Sequence, residues 1–160
     1  VERGKYLVTV GGCNDCHTPW KLGPNGPAPD ETRLLSGHPQ DLVITEPVTA
    51  AGEPWAMTAA ATNTAWSGAW GVSFTANLTP DVNTGLGTWS EDMFIKTLRT
   101  GRHWGQSRPI LPPMPWFNYG KMEQEDLAAI FAYLQSIPPI RNRVPVPLPP
   151  AGAPAAAGAI

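Results

Sequence analysis

The sequence Cys13-Asn14-Asp15-Cys16-His17 decides how the rest of this chain is interpreted. Two cysteines separated by two residues and followed directly by a histidine form the attachment motif of a c-type haem. Each thiol adds across one vinyl group of the porphyrin, and the short turn between the thiols matches the separation of the vinyl groups. The imidazole of the next residue then lies under the iron as its proximal ligand. The motif therefore predicts one covalently bound haem c, whose chemistry depends on the other axial ligand.

Three other kinds of site contain closely spaced cysteines, and each lacks a required part here. A zinc finger or ribbon needs two further ligands at paired spacing, but the sequence has no third cysteine, and His38 and His103 are isolated. A thioredoxin-like dithiol follows a strand, whereas residues 2–10 have the spacing of a short amphipathic helix. A disulfide between Cys13 and Cys16 would close a strained small loop. The haem interpretation is the strongest of the four.

Composition and charge narrow the class of protein. The 160 residues fit one domain, large enough to bury a haem and a modest core. Charged residues make up 15% of the chain, the net charge is −2 and no basic run occurs, which argues against nucleic-acid binding by electrostatics. No stretch approaches the roughly 20 apolar residues of a membrane span. Because the chain begins at Val1, we expect a processed product.

The sequence predicts three main helices joined by long ordered loops. The helices run from about residue 2 to 11, from 91 to 100 after a Ser90 cap, and from about 124 to 136. The 19 prolines and 16 glycines favour loops elsewhere, including residues 18–29. The 7 tryptophans need burial, which indicates that the loops are ordered.

Two parts of the chain fall outside this simple layout. An irregular insertion at about residues 39–76 contains two candidate strands, 41–45 and 71–75, which we expect to form a short two-stranded sheet. Residues 144–160 are rich in proline and alanine and cannot build a core. We therefore expect one domain of residues 1–143 followed by a tail or linker.

Five further stretches of the sequence form a recognisable set. They are Asn77-Leu78-Thr79-Pro80-Asp81, Thr84-Gly85-Leu86-Gly87-Thr88-Trp89, Leu98-Arg99-Thr100-Gly101-Arg102, Leu111-Pro112-Pro113-Met114-Pro115-Trp116 and residues 126–134. With the cysteine motif, their order resembles that of the class I cytochromes c. The resemblance is strongest to monohaem cytochromes and cytochrome domains attached to bacterial dehydrogenases. It implies a mainly α cytochrome c fold around one haem, with long Pro/Gly-rich loops.

The resemblance implies that Met114 is the second axial ligand, because the family places its ligating methionine before the last helix. Prolines on both sides of Met114 stiffen the loop and present one side chain without a helix around it. We expect His17 and Met114 to bind the iron, and a methionine ligand raises the reduction potential. The other methionines have positions typical of core packing or lie in the insertion. The alternative ligands are Met57, Met93, Met122, His38 and His103.

The haem propionates need hydrogen-bond donors. The candidates are the indole N–H groups of Trp89 and Trp116, the amide of Asn77 and the guanidinium groups of Arg99 and Arg102. Core packing accounts equally well for each tryptophan. Arg99 lies near a helix C-terminus, where a cation is favourable without a ligand.

These features predict a soluble carrier that passes single electrons between redox proteins and transforms no substrate. The expected partners are a dehydrogenase, a terminal oxidase or another cytochrome. A second possibility is the electron-accepting cytochrome subunit or domain of a larger dehydrogenase. A third is a haem enzyme or sensor whose iron has an open site. The resemblance implies export to the periplasm or the exterior of a bacterium.

If both thiols carry thioether links, the haem will stay on the chain after denaturation and acid–organic extraction. Absorbance of the protein fraction after extraction measures this directly. Cys13→Ala with Cys16→Ala should release all colour under the same conditions. Free extraction of the haem from the unsubstituted chain, or uptake of zinc in its place, would contradict the motif assignment.

Overall fold

The computed structural model describes residues 1–48 and 54–152. Within these ranges the chain forms five α-helices, two single-turn 3₁₀ helices (Glu31–Arg33 and His103–Gly105) and two small antiparallel sheets, joined by long turns. The helices are α1 (Glu2–Val10), α2 (Cys13–His17), α3 (Glu91–Thr100), α4 (Trp116–Tyr119) and α5 (Gln124–Ser136). The strands are β1 (Trp20–Gly23), β2 (Gly26–Pro29), β3 (Met57–Ala59), β4 (Ala65–Gly68) and β5 (Gly71–Phe74). The fold is thus mixed, with more strand than the sequence predicts.

The apolar core lies where α1, α3 and α5 pack together. Gly4 of α1 brings the two terminal helices close, because a Cβ atom at this position would collide with the carbonyl oxygen of Ala129. Arg3 and Asp126 form an ion pair of 2.9 Å across the same contact. Among the described residues, neither sheet contributes to this core. Its buried members are Leu7, Val8, Leu35, Leu86, Phe94, Leu98, Leu127, Ile130, Phe131 and Leu134.

Helix α3 has the ends that its sequence predicts. The Ser90 hydroxyl accepts the Met93 N–H at 3.1 Å, which caps the first turn. Gly101 ends the helix in the left-handed region, at φ +64°. A side chain at Gly101 would collide with the Trp116 ring, so this glycine also lets α4 pack on the end of α3. The predicted bounds of α3 and α5 are confirmed.

Residues 18–29 contain a β-hairpin where the sequence predicts loop. β1 pairs with β2, with Trp20 opposite Pro29 and Leu22 opposite Pro27. Prolines suggest loop, but here they occupy the alternate positions of an edge strand that donate no ladder hydrogen bond. Gly26, at φ +103°, completes the tight turn. The prediction of loop is wrong here because it rests on the number of prolines. Their alternate spacing, which is compatible with an edge strand, is the better indicator of the structure.

The insertion holds a three-stranded sheet in the order β3-β4-β5, not the predicted pair of strands 41–45 and 71–75. The second prediction is confirmed by β5. The first is wrong: Leu42 donates its N–H to the carbonyl of Pro39 in a turn at 3.1 Å, and Val43 is 72% exposed. The strand partner of β5 is instead β4, the second strand of the hairpin that precedes it. Residues 49–53 of the insertion lie outside the described residues.

After α5 the chain runs back across the molecule as a C-terminal strap, residues 140–149. Asn142 is 1% exposed, and Leu148 exchanges two backbone hydrogen bonds with Val72, of 2.9 and 3.0 Å. Ordered contacts therefore continue past residue 143, where we expected the domain to end. The last part of the expected tail, residues 153–160, lies outside the described residues. Across the described ranges, no helix has the length and hydropathy needed to cross a bilayer.

Gly4→Ala should lower the free energy of unfolding by about 1–3 kcal/mol, because the added methyl group forces α1 away from α5. Urea unfolding followed by far-ultraviolet circular dichroism measures the loss. Lys5→Ala, on the exposed side of the same helix, is the control and should leave the midpoint nearly unchanged. Equal midpoints for both variants would show that the two helices do not meet at Gly4.

Candidate haem-binding site

The Cys-x-x-Cys-His motif forms the short helix α2. Gly12 precedes the helix in the left-handed region at φ +69°, which turns the chain sharply out of α1. Cys13 and Cys16 lie on this helix, are half-buried and form no disulfide. Burial raises the pKa of the Cys13 thiol to about 11 and also raises that of Cys16. Two neutral thiols in apolar surroundings are unlike the low-pKa thiolate of a dithiol oxidoreductase.

His17 is held with one ring nitrogen bonded and the other available. The imidazole is 8% exposed, and its Nδ1 lies 2.8 Å from the carbonyl oxygen of Ala76. A carbonyl only accepts, so Nδ1 carries the proton and the Nε2 lone pair is left for a ligand bond. Burial lowers the pKa of His17, which the bond to Ala76 partly offsets. The ring is therefore neutral, as a metal ligand must be.

Two backbone segments, residues 35–38 and 75–78, form the pocket wall that holds His17. They are bonded to each other by Leu78 N to Leu35 O at 2.9 Å and by His38 N to Thr75 O at 3.0 Å. The Gly37 N–H donates to the His17 carbonyl at 2.8 Å.

Gly37 is required at this junction. It has a φ of +76°, and a Cβ atom there would lie 2.5 Å from the carbonyl oxygen of Thr75. In the sequence, Gly37 stands out only as one of the 16 glycines that favour loops between the helices.

Met114 lies in the loop between α3 and α4, with prolines on both sides. It is partly buried and packs against the same apolar core as Cys13. Three hydrogen bonds hold the loop. They are Ile110 N to Gly101 O at 2.8 Å, Ser73 Oγ to Pro112 O at 2.5 Å and Trp116 N to Met114 O at 2.9 Å. The loop is thus fixed by α3, β5 and α4 together.

The alternative ligands have other surroundings. His38 is fully buried, and its ring nitrogens contact Thr64 Oγ1 at 3.0 Å and Leu42 O at 2.9 Å, so neither is left for a ligand. His103 is half-buried and packs edge-on against Trp89, with ring centroids 5.3 Å apart. Burial and then the charge of Arg108 lower the pKa of His103. The remaining alternatives are methionines: Met57, 43% exposed on β3, Met93 on α3 and Met122, which packs against the core.

Three of the five candidate propionate donors already bond to protein groups. Asn77 donates its amide to the carbonyls of Ile140 and Asn142, at 2.8 and 3.3 Å. Arg99 donates to the carbonyl of Gly120, and Arg102 donates to that of Ser107 at 3.0 Å. Trp89 packs against the core, and the Trp116 ring covers Gly101. These contacts explain the residues without a ligand, and their role toward a cofactor stays a prediction.

The donor set fits a c-type haem. Two unpaired thiols and a neutral imidazole share one helix, and a thioether packs against the same apolar core. Two buried polar atoms, Asn14 Oδ1 and Ser36 Oγ, have no partner in the described part of the chain. The Ser36 hydroxyl can donate to an acceptor such as a haem propionate, whereas the Asn14 oxygen only accepts. Within the described ranges, no three His, Cys, Asp or Glu side chains converge as a bare metal ion would need.

Sequence reasoning missed a contact that anchors the motif from the other side. The Tyr119 hydroxyl on α4 donates to the carbonyl of Gly11, and its ring lies near the start of α2. The two residues are 108 positions apart, and neither belongs to a motif with a known spacing. The only signal in the sequence is that Tyr119 is an aromatic residue in the short segment before the last helix.

Comparison with known proteins supports a cytochrome c family. The gluconate 2-dehydrogenase cytochrome c subunit of Pantoea cypripedii is 29% identical over 133 residues, covering 83% of this chain and 22% of that protein. The quinone-dependent alcohol dehydrogenase cytochrome c subunit of Gluconacetobacter polyoxogenes is 32% identical over 135 residues, covering 83% of this chain and 21% of that protein. A nicotinate dehydrogenase subunit of Pseudomonas putida is 26% identical over 145 residues, covering 91% of this chain and 9% of that protein.

The chain therefore spans between 9% and 22% of the length of these three relatives. No protein-family model matches it.

Tyr119 gives a pH dependence that can be measured. Burial, followed by the neighbouring Cys13 and Cys16, raises the pKa of Tyr119 to about 12. An unfolded tyrosine ionises near pH 10. The stability that Tyr119 contributes is therefore fully present below about pH 10 and is lost as the pH rises toward 12.

Tyr119→Phe should cost about 1 kcal/mol at neutral pH, where the hydrogen bond to Gly11 is lost. It should also reduce the fall in stability at high pH. Thermal unfolding between pH 7 and about 11.5 measures both effects. The matched control is Tyr6→Phe, because Tyr6 is 57% exposed on α1. Identical alkaline profiles for the two variants would contradict the assignment.

Proposed function

We propose that this chain is a cytochrome c domain that carries one haem through Cys13 and Cys16, with His17 and Met114 as axial ligands, and passes one electron at a time. The observation that carries the proposal is the hydrogen bond of 2.8 Å from His17 Nδ1 to Ala76. It leaves Nε2 as the only ligating nitrogen of the histidine that ends the attachment motif. Nε2 makes no hydrogen bond in the described part of the chain and is not one of its fully buried unpaired atoms, so a ligand can reach it, whereas both ring nitrogens of His38 are bonded.

When bound, the haem supplies reversible one-electron chemistry. The residues of the chain set the conditions for that chemistry. The bond to Ala76 fixes the tautomer and orientation of His17 and makes its Nε2 a stronger donor. The thioether of Met114 favours ferrous iron and raises the reduction potential. If His17 and Met114 both bound the iron, no position would remain for a small ligand, and we therefore propose no catalytic residue in this domain.

The number of haems follows from the cysteine count of this chain. The sequence has two cysteines, and both belong to the one motif, so their thiols can form a single pair of thioether links. A second c-type haem would need another pair of thiols. We therefore propose one haem for these 160 residues.

The relatives favour a domain or subunit of a larger dehydrogenase over a free carrier. Those from Pantoea cypripedii and Gluconacetobacter polyoxogenes are named as cytochrome c subunits of dehydrogenases, and each is several times longer than the matched region. We propose that the domain accepts electrons from a dehydrogenase and gives them to another cytochrome or a terminal oxidase. Periplasmic or extracellular placement is part of the proposal.

Met114→Ala tests the axial assignment and separates a carrier from an enzyme or sensor. The unsubstituted holoprotein should be low-spin, should bind carbon monoxide poorly when reduced and should show the weak far-red iron–sulfur band when oxidised. Met114→Ala should abolish that band, admit carbon monoxide and lower the reduction potential. Absorption spectra and a spectroelectrochemical titration measure all three.

The matched controls are Met57→Leu and Met122→Leu, which keep side-chain volume and should leave the spectrum unchanged. Ready carbon monoxide binding by the unsubstituted protein would favour an open-site enzyme or sensor. A low-spin spectrum that survives Met114→Ala would move the ligand assignment to another residue, first His103.

A further inference from the structure

Asn142 in the C-terminal strap is a buried amide that the proposed function gives no role. Its amide nitrogen donates to the carbonyls of Ser36 and His38, at 2.7 and 2.9 Å. Its amide oxygen accepts from Arg33 Nη2 at 3.2 Å and from Gln40 N at 3.0 Å. All four hydrogen-bonding positions of the amide are used, at 1% exposure.

The backbone of Asn142 binds a different segment. Its N–H donates to Thr84 Oγ1 at 3.0 Å, and its carbonyl accepts from Asn77 Nδ2 at 3.3 Å. One residue thus joins the loop of residues 33–40 to the turn of residues 77–84. The whole insertion separates these two segments in the chain. Asn142 adds to the backbone hydrogen bond from Leu78 N to Leu35 O, which also joins them.

The points where Asn142 binds lie directly beside the two backbone contacts of His17. Ser36 and His38 flank Gly37, whose N–H donates to the His17 carbonyl at 2.8 Å. Asn77 follows Ala76, whose carbonyl accepts from His17 Nδ1 at 2.8 Å. Movement of either segment would therefore change the hydrogen bond to the imidazole, and Asn142 restrains both.

We propose that Asn142 is a positioning residue that keeps Ala76 and His17 at hydrogen-bond distance and thereby tunes the reduction potential of the bound haem. The proposal rests on the proposed function, since it needs His17 as a ligand. A tight Nδ1–H bond makes Nε2 a stronger donor and favours ferric iron. Loosening this bond should therefore raise the reduction potential. Replacing a residue that only stabilises the fold should leave the reduction potential unchanged.

Asn142→Leu keeps the side-chain size and removes the four amide hydrogen bonds. In the holoprotein it should raise the midpoint potential and make the His17 Nδ1 proton exchange with solvent severalfold faster. Spectroelectrochemical titration measures the first effect, and proton nuclear magnetic resonance of the reduced protein measures the second. Gly37→Ala should disturb the same hydrogen bond, because its Cβ would press on Thr75 and Ala76. It should also raise the midpoint potential and speed exchange of the His17 Nδ1 proton.

The matched control is Val72→Ala. Val72 is 2% exposed on β5 and bonds the far end of the strap through its backbone, but it lies outside the helical core. It should lower the thermal midpoint without changing either the potential or the exchange rate. If Asn142→Leu yields no holoprotein, Asn142→Ser, which keeps one donor, should give smaller shifts in the same direction.

The proposal is overturned if Asn142→Leu or Asn142→Ser lowers stability but leaves the potential and the Nδ1 proton exchange at the values of the unsubstituted protein. Equal shifts in Val72→Ala would overturn it too, because they would follow from loss of stability alone. Failure of the proposed function is visible separately, since the unsubstituted chain would then lack a covalent haem or a low-spin spectrum.

Discussion

The hydrogen bond between His17 and Ala76 is the contact on which the rest of the structure depends. A buried imidazole needs a partner for its protonated nitrogen, and here that partner lies 59 residues further along the chain. The chain must therefore return to His17 after the insertion. Three features hold the returning chain against His17. They are the backbone hydrogen bonds between residues 35–38 and 75–78, the left-handed conformation of Gly37, and the amide hydrogen bonds of Asn77 and Asn142. The helical core supports the other side of the same motif through Tyr119 and Gly11.

Local signals make much of the helical part predictable. Ser90 and Gly101 mark the two ends of α3, and a regular apolar spacing marks α5. The cysteine motif is equally local, because its chemistry is contained in five consecutive residues. In each case the residues that determine the structure are neighbours in sequence, so their pattern along the chain is sufficient.

The strap and the insertion cannot be predicted in the same way, because their partners are distant. Asn142 bonds to residues 102 to 109 positions away, and nothing near it in sequence reveals that it is buried. The proline and alanine content after it suggests a tail, although Leu148 still pairs with Val72. The amide of Asn77 does donate hydrogen bonds, but its acceptors are the Thr84 hydroxyl and the carbonyls of Ile140 and Asn142 in the strap. The interpretation of Met114 depends on a resemblance to a family, since its surroundings are set by β5 and α3 as much as by the prolines beside it.

The two ends of the insertion meet, since the N–H of His38 and the carbonyl of Thr75 are bonded to each other at 3.0 Å. Between these two points the chain also bonds to the rest of the domain, because the Asn63 side-chain amide donates to the carbonyl of Asp15 at 2.8 Å and the Ser73 hydroxyl donates to the carbonyl of Pro112. Strand β3 differs, because its residues are exposed and it pairs only with β4 among the described strands. The outer edge of this sheet can therefore vary in length and sequence while the contacts at His17, Asp15 and Pro112 stay in place.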